Sequence, residues 1–355
     1  MRFVLKVLAR TWRVIVVCVW CLLGAWTALA EFFTVPFPVW AAAFIAFLIA
    51  GMYIIALPER VHERGRGMAW RNLRRTGVAL AATAVVAVWF FGFVRPKPDE
   101  DWILVHQRMP EATFDGDKVH VKNVRNFTWR AVDDVSAEYD DRTYDLNALN
   151  SMYYVKSPIF DLRPVAHVWV TFGFSDGQYV SISVEARGVK ERPFGLFRSL
   201  FRQFQLIYVV GDERDIVGLR GAIWQNEVRF YPVSTTDERK RAIFVDMLKR
   251  ADSLGKHPEF YNLIANNCMN NITYHVIRLG GRPVPSNLAL LLTGFSDRAA
   301  YDYGFLDTDG LTFERAREAY RIDEWMKHTT LDETFSKRLR EQLAKQVAEM
   351  KSKHE

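Results

Sequence analysis

Cysteine is nearly missing from this chain: 355 residues carry three, and two of them, Cys18 and Cys21, lie inside the first apolar run. The polar remainder holds a single thiol, Cys268, which excludes a disulfide framework. Metal-ligand spacing is missing too. His106, His120, His257 and His275 have no matching partners and there is no pair of cysteines, so no metal is expected. Nor is there a glycine-rich phosphate loop: Arg64-Gly65-Arg66-Gly67 lacks the lysine that would follow it, and no cofactor is expected. Internal repeats and low-complexity blocks are absent as well.

Acidic residues are scarce at one end. Residues 1–94 carry ten Lys/Arg against three Asp/Glu, whereas residues 95–355 carry 37 against 38. The basic balance therefore belongs to the first part alone, which argues against a nucleic-acid partner. That part is also where the apolar runs lie. Val14–Ala30, Val39–Leu57 and Gly77–Val94 are each 17 to 19 residues without a charge, close to the roughly 20 needed to span hydrocarbon. Phe32 and Phe33 extend the first run to about residue 33, with aromatics suited to the membrane interface. Three transmembrane helices are expected, over about 14–33, 39–57 and 77–94.

Their orientation follows from basic residues in short loops. Arg2, Lys6, Arg10 and Arg13 precede the first run, and Arg60, Arg64, Arg66, Arg71, Arg74 and Arg75 lie between the second and third. The link Glu31–Pro38 has no basic residue. The N-terminus is expected in the cytoplasm and everything after residue 94 outside it. Residues 1–30 also read as a signal peptide, with Ala28-Leu29-Ala30 as the cleavage site; cleavage there leaves the side of the large domain unchanged.

The remainder reads as one α+β domain over 95–334 and a charged, solvated helical tail over 335–355. Val119–Val124, Val165–Phe174, Gln178–Ala186, Gln205–Val210 and Glu227–Val233 have strand character. Thr235–Leu254 opens with a capping-box pattern, Thr235 with Glu238. A second helix is expected over 268–279, stopped by Gly280-Gly281 and Pro283. Phe197, Leu200, Phe201 and Phe204 share a helical face beside Arg198 and Arg202, which suits either an anionic lipid surface or a core helix with a basic rim.

The chemistry centres on Cys268. Asn266 and Asn267 are good caps, which puts the thiol in the first turn of the second helix. The helix dipole there lowers a thiol pKa from about 8.5, and the unpaired N–H groups of that turn suit an oxyanion. A free cysteine is as often a buried small hydrophobe. The candidate base is His167. Ser175-Asp176-Gly177 fits a three-residue hairpin loop that pairs Phe174 with Gln178 and, counting back, His167 with Glu185. A two-residue turn at Asp176-Gly177 puts them on opposite faces, and the polar faces of the two strands agree with the first register only. Cys268, His167 and Glu185 then form a thiol, an imidazole and an orienting carboxylate.

At Arg125-Asn126-Phe127, His167–Phe174, Ser183–Arg187, Leu206–Asp215 and Asn267-Cys268 the sequence resembles the bacterial Lnb-type N-terminal periplasmic domain family, over most of residues 100–295. The resemblance implies a permuted papain-like fold of the cell-wall-amidase type, with His before Cys. It implies a cysteine-dependent acyltransferase that moves an acyl chain from phospholipid to a lipoprotein amino terminus. Cys268 matches its nucleophile and His167 its base; Glu185 comes from the hairpin register, with Asn266 and Asn267 as cap and oxyanion support. The location expected on these grounds is the bacterial inner membrane, multi-pass, with the catalytic domain periplasmic. The partners expected are phospholipid and lipoprotein, and the oligomeric state is open. The alternatives are a cell-wall peptidase or amidase with the same thiol chemistry, and a non-catalytic envelope scaffold.

Overall fold

The computed structural model describes residues 2–34, 45, 66–159, 162–280 and 292–352. The middle apolar run expected over 39–57 and most of the basic loop before the third lie outside the described residues. The chain divides into two units, one of Met1–Lys97 with Gly195–Gln203 and one of Pro98–Phe194 with Phe204–Glu355.

In the first unit, α1 (Arg2–Thr34) and α2 (Arg66–Val88) pack against each other, and α2 runs on through a π-helical turn, Trp89–Phe93. Among the described residues two helical stretches, Val17–Thr34 and Thr76–Phe93, are long and apolar enough to cross a bilayer. Helices suit that setting because each backbone group is paired within its own segment. The hydroxyls of Thr27, Thr34 and Thr83 bond back to the carbonyls of Leu23, Ala30 and Ala79 for the same reason. Trp26 meets Phe90 edge-on, with ring centroids 5.6 Å apart.

The Gly195–Gln203 stretch is not the amphipathic helix its phenylalanine spacing suggests. It holds only a short 3₁₀ turn, Arg198–Leu200. Phe201 is buried beside Ala30 and Phe90, whereas Phe197 is 70% exposed and Phe204 belongs to the core of the other unit. Gln203 donates to the carbonyl of Phe33 at 2.6 Å and Arg202 to those of Phe90 and Val94 at 2.6 and 3.1 Å. Carbonyls at helix ends lack intrahelical donors, and these two side chains supply them. Tertiary pairing has replaced helical periodicity here.

The second unit is built on a mixed sheet. Its strands are β1 (Glu111–Asp115), β2 (Lys118–Arg125), β5 (Tyr139–Asp145), β6 (Leu149–Ile159), β7 (Leu162–Phe174), β8 (Tyr179–Arg187), β9 (Gln205–Asp212) and β10 (Arg229–Pro232). β3 (Thr128–Trp129) and β4 (Val135–Ser136) form a separate ribbon. The order is β1-β2-β9-β8-β7-β6-β10, with β5 on β2. The β7–β8 hairpin has the expected register: Trp169 faces Ser183 and Gly173 faces Tyr179. Its loop is the three-residue type, with Gly177 at φ +89° and Phe174 and Gln178 as the closing pair.

One face of the central strands is apolar. Val168, Val170 and Phe172 lie beside Ile182, Val184, Tyr208 and Val210, buried beneath α4 (Asp237–Lys256) and α5 (Cys268–Arg278). The opposite face carries His167, Trp169, Thr171, Ser181 and Ser183, and it too is buried. Over it lie α3 (Glu213–Gly218) and the π-helical turn Leu219–Ile223.

The helix α4 is capped by Thr236, whose hydroxyl accepts from Arg239 N–H, and not by Thr235. Among the described residues three short helices unforeseen in the sequence follow, α6 (Ser296–Asp302), α7 (Phe313–Ala319) and α8 (Asp323–Met326). The tail forms α9 (Phe335–Ser352), but it is not solvated all round. Phe335, Leu339, Leu343 and Val347 recur every four residues and are buried in the main core. Arg340 of the same helix pairs with the buried Glu213. The high charge content of the tail hides that stripe, because its charges lie on the other faces.

Candidate active site

Two strands part at the site. The β7–β8 ladder stops at Trp169↔Ser183, while β8 remains paired with β9 as far as Arg187↔Gln205 and β7 with β6 beyond His167. The first turn of α5 meets β7 there. Asn267 caps it: its side chain accepts from Asn270 N–H at 2.8 Å, and the Asn270 side chain accepts from Asn267 N–H at 3.2 Å. Asn266 lies one residue earlier and braces the loop, donating to Phe260 O at 2.9 Å and accepting from the Asn271 amide at 2.8 Å. Both side-chain amides are thus engaged in local structure, and any oxyanion donors here are backbone N–H groups.

Cys268 is 5% exposed. Burial pushes its thiol above the ordinary range, and the backbone N–H groups of Val168, Met269 and Cys268 itself pull it only part of the way back. The lowered pKa expected from the helix dipole is thus overturned: the N–H groups act as foreseen, and enclosure outweighs them. The involvement of Val168 N–H puts the sulfur one residue along the chain from His167.

His167 is 6% exposed and its ring lies against Trp169, with centroids 5.4 Å apart. Its Nε2 is 2.7 Å from Ser183 Oγ, and Ser183 donates to Glu185 Oε1 at 2.6 Å. These distances assign the protons. Glu185 is held well below the usual carboxylate range even though burial works against its charge; the bond from His106, with His167 and Arg220 close by, outweighs that burial. An ionised carboxylate only accepts, so the one hydroxyl proton of Ser183 points to it. Ser183 Oγ must then accept from His167 Nε2–H. That leaves the lone pair of His167 on Nδ1, for which no hydrogen bond is found among the described residues. Burial, with Arg220 close by, pushes the imidazole below its ordinary pKa, so it is neutral at pH 7.

The carboxylate is held from two further directions. His106 Nδ1 accepts from Gly188 N–H at 2.9 Å, which puts its proton on Nε2, donated to Glu185 Oε2 at 3.0 Å. Arg220 lies 3.5 Å from Oε1 and stacks near Trp169 and Trp224. Direct approach of His167 to Glu185 is 3.6 Å, longer than the route through Ser183. Sequence pattern singled out Cys268, His167 and Glu185, and the structure brings His167 to within 3.6 Å of Glu185. The pattern missed Ser183 as the bridge, although the alternation of β8 put it on the right face, and it set His106 aside as a poor metal ligand. Arg220 had no sequence signal at all.

The motif residues hold one another in place. Arg125 makes a bidentate pair with Asp215 at 2.7 and 3.0 Å, and Asp215 also accepts from Phe127 N–H and Trp129 Nε1. Arg214 donates to Asn126 at 2.6 Å. These bonds anchor α3, whose continuation delivers Arg220. Among the described residues no group of three His, Cys, Asp or Glu side chains is placed to hold a metal ion.

No curated protein and no solved structure matches the chain. A family model does, over residues 136–287, a range that holds His167, Ser183, Glu185, Arg220 and Cys268 but stops short of His106 and Arg125. With two helices apolar enough to cross a bilayer, that match fits a membrane protein with a periplasmic domain. That match, over residues 136–287, is to the Lnb N-terminal periplasmic domain, the family that the sequence motifs resemble.

Proposed function

We propose that the domain is a thiol acyltransferase of permuted papain-like design, anchored in the inner membrane by several spans with its catalytic face on the periplasmic side. One observation supports the chemistry: the hydrogen bonds around Ser183 assign the His167 proton to Nε2, so that Nδ1, on the residue before the one whose N–H faces the Cys268 sulfur, carries a lone pair suited to a base. The thiol is buried and neutral, so general-base catalysis fits better than a preformed thiolate.

In this reading Nδ1 takes the thiol proton as sulfur attacks the ester carbonyl of a phospholipid. The tetrahedral oxyanion is met by backbone N–H groups at the start of α5. The C–O bond breaks, the imidazolium returns the proton to the departing alcohol, and an acyl thioester remains on Cys268. The amine of a lipoprotein N-terminus then attacks the thioester. An amide forms, the C–S bond breaks, and the amine proton passes through His167 to sulfur. Ser183, Glu185, His106 and Arg220 are positioning residues in this scheme.

The test is intact-mass analysis of the full chain after incubation with phospholipid, followed by addition of a lipopeptide with a free amino terminus. The expected result is a fatty-acyl adduct that Cys268→Ala lacks and that is discharged as N-acyl lipopeptide. Full transfer by Cys268→Ser would overturn the mechanism. Cleavage of cell-wall peptide without any acyl adduct would make the protein an amidase instead.

A further inference from the structure

Protein interiors are packed like organic crystals and seldom hold voids much larger than a water molecule. Between the apolar face of the sheet, α5 and α6 lies a cavity of about 410 Å³. Met269, Ile272 and Val276 turn one face of α5 toward it, at the spacing that usually marks a face buried in core. Tyr154, Val170 and Ala300 line the other sides. The wall begins at Met269, the residue after the thiol.

Most of this wall is apolar, and of its buried hydroxyls those of Tyr154 and Ser296 are paired while Thr273 Oγ1 has no hydrogen-bond partner among the described residues. Tyr154 hydroxyl bonds Ser296 Oγ at 2.6 Å and lies 4.0 Å from the Met269 sulfur, at the buried end. The other end is open: Ser234, Thr236 and Arg239 are exposed there, with Arg239 donating to Gly280 O at 2.9 Å. A deep apolar space with a polar mouth and no unpaired charge inside suits a hydrocarbon and little else. At about 410 Å³ the space is far larger than the roughly 10–15 Å³ of the same measure that one water needs, which leaves room for a chain of many carbons.

We infer that this cavity binds one long hydrocarbon chain, the acyl group that Cys268 carries as a thioester, seated along the Met269–Val276 face of α5. The inference rests on the acyl-transfer reading above and adds to it the place of the chain.

The test uses the full chain in lipid nanodiscs with a fatty acid bearing a terminal diazirine, and Cys268→Ala as host so that no thioester chemistry is needed. Crosslinks are expected on residues 269–276 and 299–306, competed by unlabelled palmitate. Val276→Trp and Ala300→Phe fill the space from two different helices; each variant that keeps the host's circular dichroism is expected to lose at least tenfold of that labelling. Crosslinks confined to residues 2–34 and 66–93, or full labelling in a folded filled variant, would overturn the inference. If the cavity is labelled as expected but wild-type protein forms no acyl adduct, the chemistry fails and the chain site stands. If the adduct forms and the cavity stays unlabelled, the chain site fails and the chemistry stands.

Discussion

Two buried histidines in this domain have the same kinds of neighbour and different prospects. His275, on α5, has Nδ1 2.7 Å from Asp246 and Nε2 2.8 Å from Tyr208 hydroxyl. Both ring nitrogens are engaged, and Asp246 is further tied to Arg278 at 2.8 Å. His167 has a hydroxyl and a carboxylate as well, but in series on one nitrogen, through Ser183 to Glu185. A histidine with both nitrogens occupied is a structural cross-link. One with a fixed tautomer and an unoccupied nitrogen is free to act as a base. What separates them is the arrangement of partners, not their identity.

The largest expected effect is on the proposed acyl transfer. His167→Ala is expected to lower kcat/KM by about 10²–10⁴-fold, the usual contribution of a positioned general base, while shifting the urea midpoint little. His275→Ala is expected to do the reverse: activity per folded molecule within a few fold of wild type, and a loss of about 1–3 kcal/mol from removing one buried partner of Asp246, which keeps Arg278, and one of Tyr208, which keeps Asn271. Equal activity losses in the two variants would erase the distinction.

Ser183→Ala removes the bridge and leaves only the 3.6 Å approach of His167 to Glu185. A tenfold to hundredfold fall in kcat, of the order seen when a reacting group is displaced by about 1 Å, is expected, with KM unchanged. Ser183→Thr is expected to recover part of it. A wild-type rate in Ser183→Ala would place the orienting group elsewhere.

The acid limb of the rate profile provides a finer measure. Because burial and Arg220 hold His167 below its ordinary pKa, kcat/KM should stay level through neutral pH and fall only below about 6.5. Arg220 is the nearby charge behind that depression; Arg220→Gln should therefore move the limb to higher pH. An unmoved limb would show that burial alone sets it.

The smallest effect is on stability. His167 and His275 are both depressed by burial in the fold, so as pH falls through about 6.5 the unfolded chain takes up protons first and stability drops. Glu185, also depressed, extends the loss below the ordinary carboxylate range. In His275→Ala the step near the histidine range is expected to shrink, seen as a flatter dependence of urea midpoint on pH between about 7 and 5.

Legibility in the sequence varied with the range of the interaction. The β7–β8 register was readable because a Ser-Asp-Gly loop dictates its own pairing and a one-residue slip would have turned Ser181, Ser183 and Glu185 to the wrong face. The cap at Asn267 was readable because it involves residues three apart. The tail was misread because charge content conceals a four-residue apolar stripe. Arg125 and Asp215 stood out as motif residues, but not as each other's partner 90 positions away.

By itself, then, the sequence determined which segments are apolar enough to enter a bilayer, which turn begins with the thiol, and which strand positions share a face. Those depend on composition and on spacings of a few residues. Only the tertiary structure decided that Cys268 is buried enough to stay a neutral thiol and that Ser183 accepts from His167 Nε2–H while donating to Glu185. It alone brought in His106 and Arg220 to hold that carboxylate. Desolvation and hydrogen-bond direction depend on what other parts of the chain bring to the same few ångströms, and no local pattern records that.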